Sequence, residues 1–370
     1  MDRRRRKPLL FAAAAATPII LNLCLICSLL LLSKYTETPG HALAIGLSAA
    51  GVIQFAWLVV ALRRAGIALR LPRPRLTPRV KHMLIIIAPA ALGAGIAQVN
   101  LVLDIIIASL LPEGAISFLY YADRINQLPL GVIGVAVGTA LLPLLSRQLR
   151  SGEYEVAQHS QNRAIEGALL LTLPASAALM IMAEPLISVL FERGAFNNIA
   201  TAASADALVA YAAGLPSFVM IKILVVGYFA RQDTKTPVKI AMLCLVVNLF
   251  FNLVLMIPLG HVGIALATTL SGWLNAVLLA AGLHRRGYFI ADSRLRSRIP
   301  RMFLATVAML FGLWAIIGLL EPPDRSLGVG VGSIFALIIS GVVIYALSAR
   351  FLGAAYYADI KGFIKSEKNN

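Results

Sequence analysis

Tyr120-Tyr-Ala-Asp-Arg-Ile-Asn-Gln-Leu-Pro-Leu-Gly131 opens a stretch that runs through a Gly/Ala/Val-rich segment to Leu142-Pro-Leu-Leu-Ser-Arg147. Most of it is as apolar as a bilayer span, yet Asp123 and Arg124 stand near its start with only Asn126 and Gln127 as polar company. An ionisable group inside a membrane segment costs about 2.5–3.5 kcal/mol on insertion scales, so such groups mark polar cavities or substrate paths. Tyr120, Asp123, Arg124 and Gln127 are three or four residues apart and share one broad helical face. Gly131, Gly134 and Gly138 continue that spacing as a smooth ridge for close helix approach. Pro129 and Pro143 are tolerated where neighbours or water satisfy the freed carbonyls. The stretch reads as a transmembrane helix lining a cavity.

The rest of the chain has the same character. Of its 370 residues, 59% are hydrophobic and 14% charged, against the ~25% charge of a soluble domain, and the mean hydropathy is +0.83. This is a membrane protein and not a soluble enzyme with a large core. Apolar segments long enough to span lie at 9–33, 41–62, 83–111, 115–146, 164–190, 203–230, 238–259, 261–283, 302–320 and 326–350. The expected fold is therefore all-α and polytopic, with about ten transmembrane helices.

The net charge of +16 invites a nucleic-acid reading, but its distribution excludes one. All but five of the 33 Lys and Arg fall in loops on the side of the N-terminus; Lys34, Arg193 and Arg325 lie on the other side, and Arg124 and Lys222 lie within spans. That alternation is the positive-inside signature and places both termini in the cytoplasm. Arg3 to Lys7 precede an apolar run too long for a signal-peptide core, so the first segment reads as a helix with a cytoplasmic basic end. The basic linkers 65–81 and 285–301 divide the chain, the first with arginines suited to anionic headgroups.

No catalytic constellation is present. The five histidines sit at segment ends or in loops without metal-pair spacing, and neither a nucleophile elbow nor a P-loop occurs. Cys24 and Cys27 have redox spacing but lie in an apolar run without a second pair, and Cys244 is equally apolar in context. The informative groups are polar residues inside spans. Asn100 and Asp104 are one turn apart, as are Asn248 and Asn252, and Thr268 and Thr269 lie inside the eighth span. These are hard oxygen ligands of the kind a small cation needs, although taken singly such a residue is more often an interhelical hydrogen bond. Asp123 and Arg124 point about 100° apart and are poor partners for each other. Asp104 and Asp123 balance Arg124 and Lys222, so the four form either two cross-helix ion pairs or a site in which Arg124 is a fork for a phosphate-like group.

Tyr120 to Gly131, Leu142 to Arg147, Phe191-Glu-Arg-Gly-Ala-Phe196 and Phe229-Ala-Arg-Gln-Asp-Thr-Lys-Thr-Pro-Val-Lys239 together resemble the MurJ/MviN lipid II flippases of the multidrug/oligosaccharidyl-lipid/polysaccharide exporter superfamily. The resemblance covers nearly the whole chain. It implies an exporter-superfamily fold with a truncated N-terminal lobe that lacks the family's first four helices. Residues 1–64 are then the remnant of that lobe, 82–284 a six-helix C-terminal lobe, 302–352 a final pair lining a lipid-tail groove, and 353–370 a cytoplasmic tail.

In function the resemblance implies a transporter of the bacterial cytoplasmic (inner) membrane, not an enzyme. It would translocate the undecaprenyl-pyrophosphate-linked peptidoglycan precursor by alternating access. The alternatives are an exporter of another lipid-linked oligosaccharide and a transport-dead scaffold for cell-wall synthesis proteins. Arg124 matches a cavity arginine that engages the pyrophosphate, and Asp123, Gln127 and Lys222 complete the expected substrate set. No cofactor is required. Asp104, Asn248, Asn252 and Thr268 match a sodium site of one family branch, with Asn252 standing where that branch has a carboxylate. Expected partners are the lipid-linked precursor and membrane lipids, with a separate N-terminal fragment or cell-wall synthesis proteins as further candidates.

Overall fold

The computed structural model describes residues 13–65, 77–319 and 327–354, all helices and connecting turns apart from one isolated bridge, Arg193 to Phe196. Contacts divide the chain into two compact units, Met1–Lys81 and His82–Asn370. The basic run at Arg3–Lys7, residues 66–76 of the first linker and the tail from 355 lie outside the described residues.

The first unit is an antiparallel pair, α1 (Thr17–Leu32) and α2 (Pro39–Arg64). Neither helix has a marked polar face; what joins them is a stripe of small buried residues on α2, Ala42, Gly46 and Ala50, one turn apart. Gly46 has no room for a side chain, since a Cβ would meet Ser28 Cβ at 2.7 Å and the Cys24 carbonyl at 3.2 Å. Two side chains close the pair: Gln54 donates to the Thr17 carbonyl at 2.7 Å, and the Trp57 indole N–H to the Ala13 carbonyl at 3.1 Å.

The second unit holds most of α3 (Pro78–Ala108), then α4 (Ala115–Arg150), α5 (Tyr154–Ile181), α6 (Ala183–Phe191), α7 (Asn198–Ala212), α8 (Leu215–Phe229), α9 (Lys235–Leu259), α10 (His261–Arg285), α11 (Ser293–Leu319) and α12 (Leu327–Phe351). Two of the apolar segments are broken helices. Pro185 and Pro216 each lack an N–H, and their rings exclude the carbonyl four residues back, so α5 gives way to α6 at Met182 and α7 to α8 at Ala213–Gly214. The carbonyls freed at the second break are taken up by side chains. Ser176 donates to Ala212 at 2.6 Å, Thr269 to Ala210 at 2.7 Å and Trp273 to Ala213 at 3.0 Å. Irregular backbone at membrane depth survives only when compensated in this way or when it lines a cavity.

Eight stretches among the described residues are long and apolar enough to cross a membrane, the α7–α8 pair counting as one. They do not include α3 and α4, 31 and 36 residues long, parts of which lie outside the residues whose side chains are described. The expected number of about ten is therefore met for eight.

Helix α11 starts at Ser293, well inside the stretch read from sequence as the linker 285–301. Asp292 caps it, accepting the Leu295 N–H at 2.7 Å. That bond, the Arg163 guanidinium and His159 offset the effect of burial and hold the Asp292 carboxyl below its ordinary range. The arginines of this stretch are more than topology signals. Arg298 and Arg294 converge on Glu166 of α5, and Arg163 bridges Glu166 to Asp292. Gln158 and Asn162 donate to the carbonyls of Gly287 and Ile290 at 2.7 and 2.9 Å. This polar clamp fastens α11 to α5, and α12 packs on α11 through Leu313, Ile334 and Leu337.

The Phe229–Lys239 motif is a second clamp. Asp233 accepts the Thr236 N–H at 3.0 Å, the Thr236 hydroxyl at 2.7 Å and an Arg286 N–H. Burial alone would raise the Asp233 carboxyl, but these donors together hold it at about 2. Gln232, the only non-glycine residue with positive φ among those described (φ 60°), makes the tight turn that presents Asp233.

Candidate functional site

Several of the polar residues singled out in the sequence meet on the second unit, around a cavity of about 400 Å³. Its longest wall is α4. Asp123, Asn126, Gln127, Leu130 and Gly131 form a stripe at helical spacing on that wall. The break between α7 and α8 brings in Tyr211 from one side and Phe218 and Lys222 from the other, and α10 contributes Thr268. Of the expected substrate residues, the cavity thus gathers Asp123, Gln127 and Lys222. Gln127 donates to Asp123 one turn back.

Arg124 is placed differently. It lies about 100° round the helix from Asp123, is exposed, and does not line this cavity. Its guanidinium lies over the Tyr120 ring, 4.7 Å from the centroid, in a cation–π contact. The cross-helix pairing of Arg124 and Lys222 with Asp104 and Asp123 does not occur among the described residues. Asp104 is engaged by Asn252, Asn100 and Thr268, and Asp123 by Gln127.

Lys222 explains one of the glycines. Its side chain crosses α4 at Gly134, where a Cβ would crowd the ammonium and stand 2.9 Å from Cδ. The ridge expected to seat a whole helix therefore seats a cation at Gly134 and opens onto the cavity at Gly131, which has no atom within 4 Å of a built Cβ. Two further lining residues, Asn126 and Tyr211, were not among the expected site residues. Asn126 is only 2% exposed and its Oδ1 is buried without a hydrogen-bond partner. Its position one turn after Asp123 was the available signal. Tyr211 lies in an alanine-rich helix with nothing in its neighbourhood to mark it.

Beyond Thr268 lies the second cluster. Asn252 Nδ2 donates to Asp104 at 2.6 Å and to Asn248 Oδ1 at 3.0 Å, and Asn100 donates to Asp104 at 3.1 Å. Thr268 and Asn248 complete the ring with longer contacts of 3.4 Å, Thr268 to Asp104 and Asn248 to Thr268 and Ser271. Three helices, α3, α9 and α10, thus converge on one carboxylate. Asn248 and Asn252 are 1% and 0% exposed, and Asn252 Oδ1 is a buried acceptor with no partner. A buried acceptor left unsatisfied costs about 1–3 kcal/mol. The donor set of a carboxylate, amide oxygens and a hydroxyl fits a hard cation.

Comparison with known proteins places these observations. The family model described as lipid II flippase MurJ matches residues 9–352. A probable lipid II flippase MurJ of Rhizobium meliloti (strain 1021) is 43% identical over 362 residues, covering 96% of this chain and 67% of its own length. That of Rhizobium tropici is 41% identical over 367 residues, 97% of this chain and 68% of its own length. Among solved structures, lipid II flippase MurJ in an inward closed conformation superposes with a TM-score of 0.73 at 24% identity, covering 91% of this chain and 66% of that one. At that identity the likeness concerns the fold. The chain spans about two-thirds of the length of these proteins.

Proposed function

Because the chain belongs to the MurJ family of lipid II flippases, we propose that it translocates a lipid-linked peptidoglycan precursor across the bacterial cytoplasmic membrane, with both termini on the cytoplasmic side. The observation that carries this reading is Arg124: an exposed guanidinium, oriented by the Tyr120 ring, without a carboxylate partner among the described residues, beside a polar cavity. A planar fork of this kind grips a pyrophosphate with paired hydrogen bonds. The cavity beside it is bordered by the proline-broken α7–α8 segment, the kind of discontinuous helix around which transporters build midplane sites.

Translocation of labelled lipid II in reconstituted vesicles tests the reading. Arg124→Ala should abolish it, and Arg124→Lys, which keeps the charge but loses the fork, should restore little. Normal translocation by a folded Arg124→Ala protein would remove Arg124 from the mechanism.

The cluster around Asp104 supports a sodium site. Asp104, Asn248, Asn252 and Thr268 would hold the ion, and its charge would neutralise the single carboxylate of the cluster. The orphaned Asn252 Oδ1 would gain a partner. Asp104→Ala should then remove any sodium-dependent rise in melting temperature of the purified protein, and Asn252→Asp should enlarge it by adding a charge. Equal melting temperatures in sodium and in a bulky organic cation would argue against the ion.

A further inference from the structure

The motif Phe191–Phe196 forms the turn between α6, which ends at Phe191, and α7, which Asn197 caps by accepting the Ala200 N–H at 3.1 Å. The turn is closed from within. The Phe196 N–H donates to the Arg193 carbonyl at 3.1 Å, the Arg193 guanidinium to the Leu190 carbonyl, and the Thr201 hydroxyl to Glu192 at 3.1 Å. Gly194 supplies the positive φ of 60° that the bend requires. What the turn presents is a pair of rings. Phe191 and Phe196 both lie against Tyr121 of α4, with centroids 4.7 and 5.0 Å away, Phe196 edge-to-face at 82°. Tyr121 in turn meets the Tyr120 ring edge-to-face, 5.9 Å away at 80°, and the Arg124 guanidinium lies over Tyr120. We propose that Phe191, Phe196 and Tyr121 are positioning residues for Arg124: they hold Tyr120, and Tyr120 holds the guanidinium where a phosphate group meets it.

An exposed arginine has many rotamers, and binding a ligand requires it to give most of them up. Holding it in one orientation beforehand removes that cost from the binding step. The Tyr120 ring does this through cation–π attraction, but only if the ring itself stands still. Tyr120 is 53% exposed, so the packing around it is thin, and an edge-to-face contact is what favours one ring orientation. Tyr121 supplies that contact because it is wedged against both phenylalanines of a closed turn. A latch between α4 and the α6–α7 pair would need no rings for area alone. Leu119, Ile187 and Leu208 already fill the neighbouring space between the same helices. A ladder of rings that ends on a cation carries orientation as well as area. It also joins two sequence motifs that lie far apart in the chain.

This assignment rests on the flippase reading, and a double-mutant cycle on the purified 370-residue chain keeps the two apart. Binding of lipid II is measured alongside the melting temperature. Tyr121→Leu removes the ring and keeps an apolar side chain. It should weaken lipid II roughly two- to five-fold, the worth of one cation–π contact at an exposed site. Tyr121→Phe keeps the ring and should bind as wild type does. Phe196→Leu, at the far end of the ladder, should act as Tyr121→Leu does, and it carries the test if that variant does not fold. The deciding arm is the Arg124→Lys background. Lysine has no planar fork to aim, so Tyr121→Leu should cost no further affinity there. A loss of the same size in that background would assign Tyr121 to packing alone and overturn the proposal. Wild-type affinity in folded Tyr121→Leu and Phe196→Leu proteins would overturn it as well. In both cases lipid II binding by the wild type leaves the flippase reading standing, whereas a wild type that binds no lipid II brings down both.

Discussion

Single atoms decide much at this site. Lys222 reaches the cavity because residue 134 has no side chain. In Gly134→Ala the new methyl would meet the far end of a flexible lysine, which can swing aside. The helix itself gains about 0.5–1 kcal/mol from the exchange. The expected outcome is therefore an unchanged or slightly raised melting temperature together with a marked loss of lipid II translocation. A variant that transports normally would show that the position of Lys222 is immaterial. The neighbouring pair Asp123 and Arg124 illustrates the same scale. Adjacent in sequence, they are separated by the helical turn into two environments, one inside the cavity wall and one on the open surface.

Among the elements, α5 and α11 are joined by charge as much as by packing. Glu166 and Arg298 have side chains 7% and 8% exposed, and Arg163 and Arg294 share the same carboxylate. Removing one partner of a buried pair leaves its mate uncompensated at a cost of about 3–5 kcal/mol. Glu166→Gln keeps the shape and loses the charge, so the purified protein should melt several degrees lower. Part of the loss should be recovered when Arg298→Met is added, because the most buried of the three arginines that shared the Glu166 carboxylate is then gone. A single mutant that melts with wild type would mean that hydrophobic contacts alone hold α11 in place. Expected as a linker, this stretch became a helix start because Asp292 caps it and Glu166 waits for its arginines.

For the whole molecule the testable property is orientation. The alternation of basic loops places Ser151 and Ser293 in the cytoplasm and Thr38 and Asn198 outside. In a background without Cys24, Cys27 and Cys244, cysteines at Thr38 and Asn198 should react with an impermeant thiol reagent added to intact cells. Cysteines at Ser151 and Ser293 should react only after the membrane is opened. Labelling of Ser151 from outside would invert the arrangement.

What the sequence determined by itself was everything that depends on composition, period and local chemistry. Apolar runs of helical length dictated an all-α membrane fold, and polar residues inside those runs marked Asp104, Asp123, Gln127, Lys222, Asn248, Asn252 and Thr268, all of which came to lie at the cavity or the adjoining cluster. Burying such groups is costly, so each must meet partners or a cavity whatever the fold. Only the tertiary structure decided which partners those are. The convergence of α3, α9 and α10 on Asp104 joins residues more than a hundred positions apart, and no local signal carries that information. The break at Ala213–Gly214 is tolerated because distant donors, Ser176 and Thr269, take the freed carbonyls. Tyr211 joined the cavity for the same reason: a tyrosine among alanines becomes a site residue only when the helix break turns it toward the wall that α4 provides.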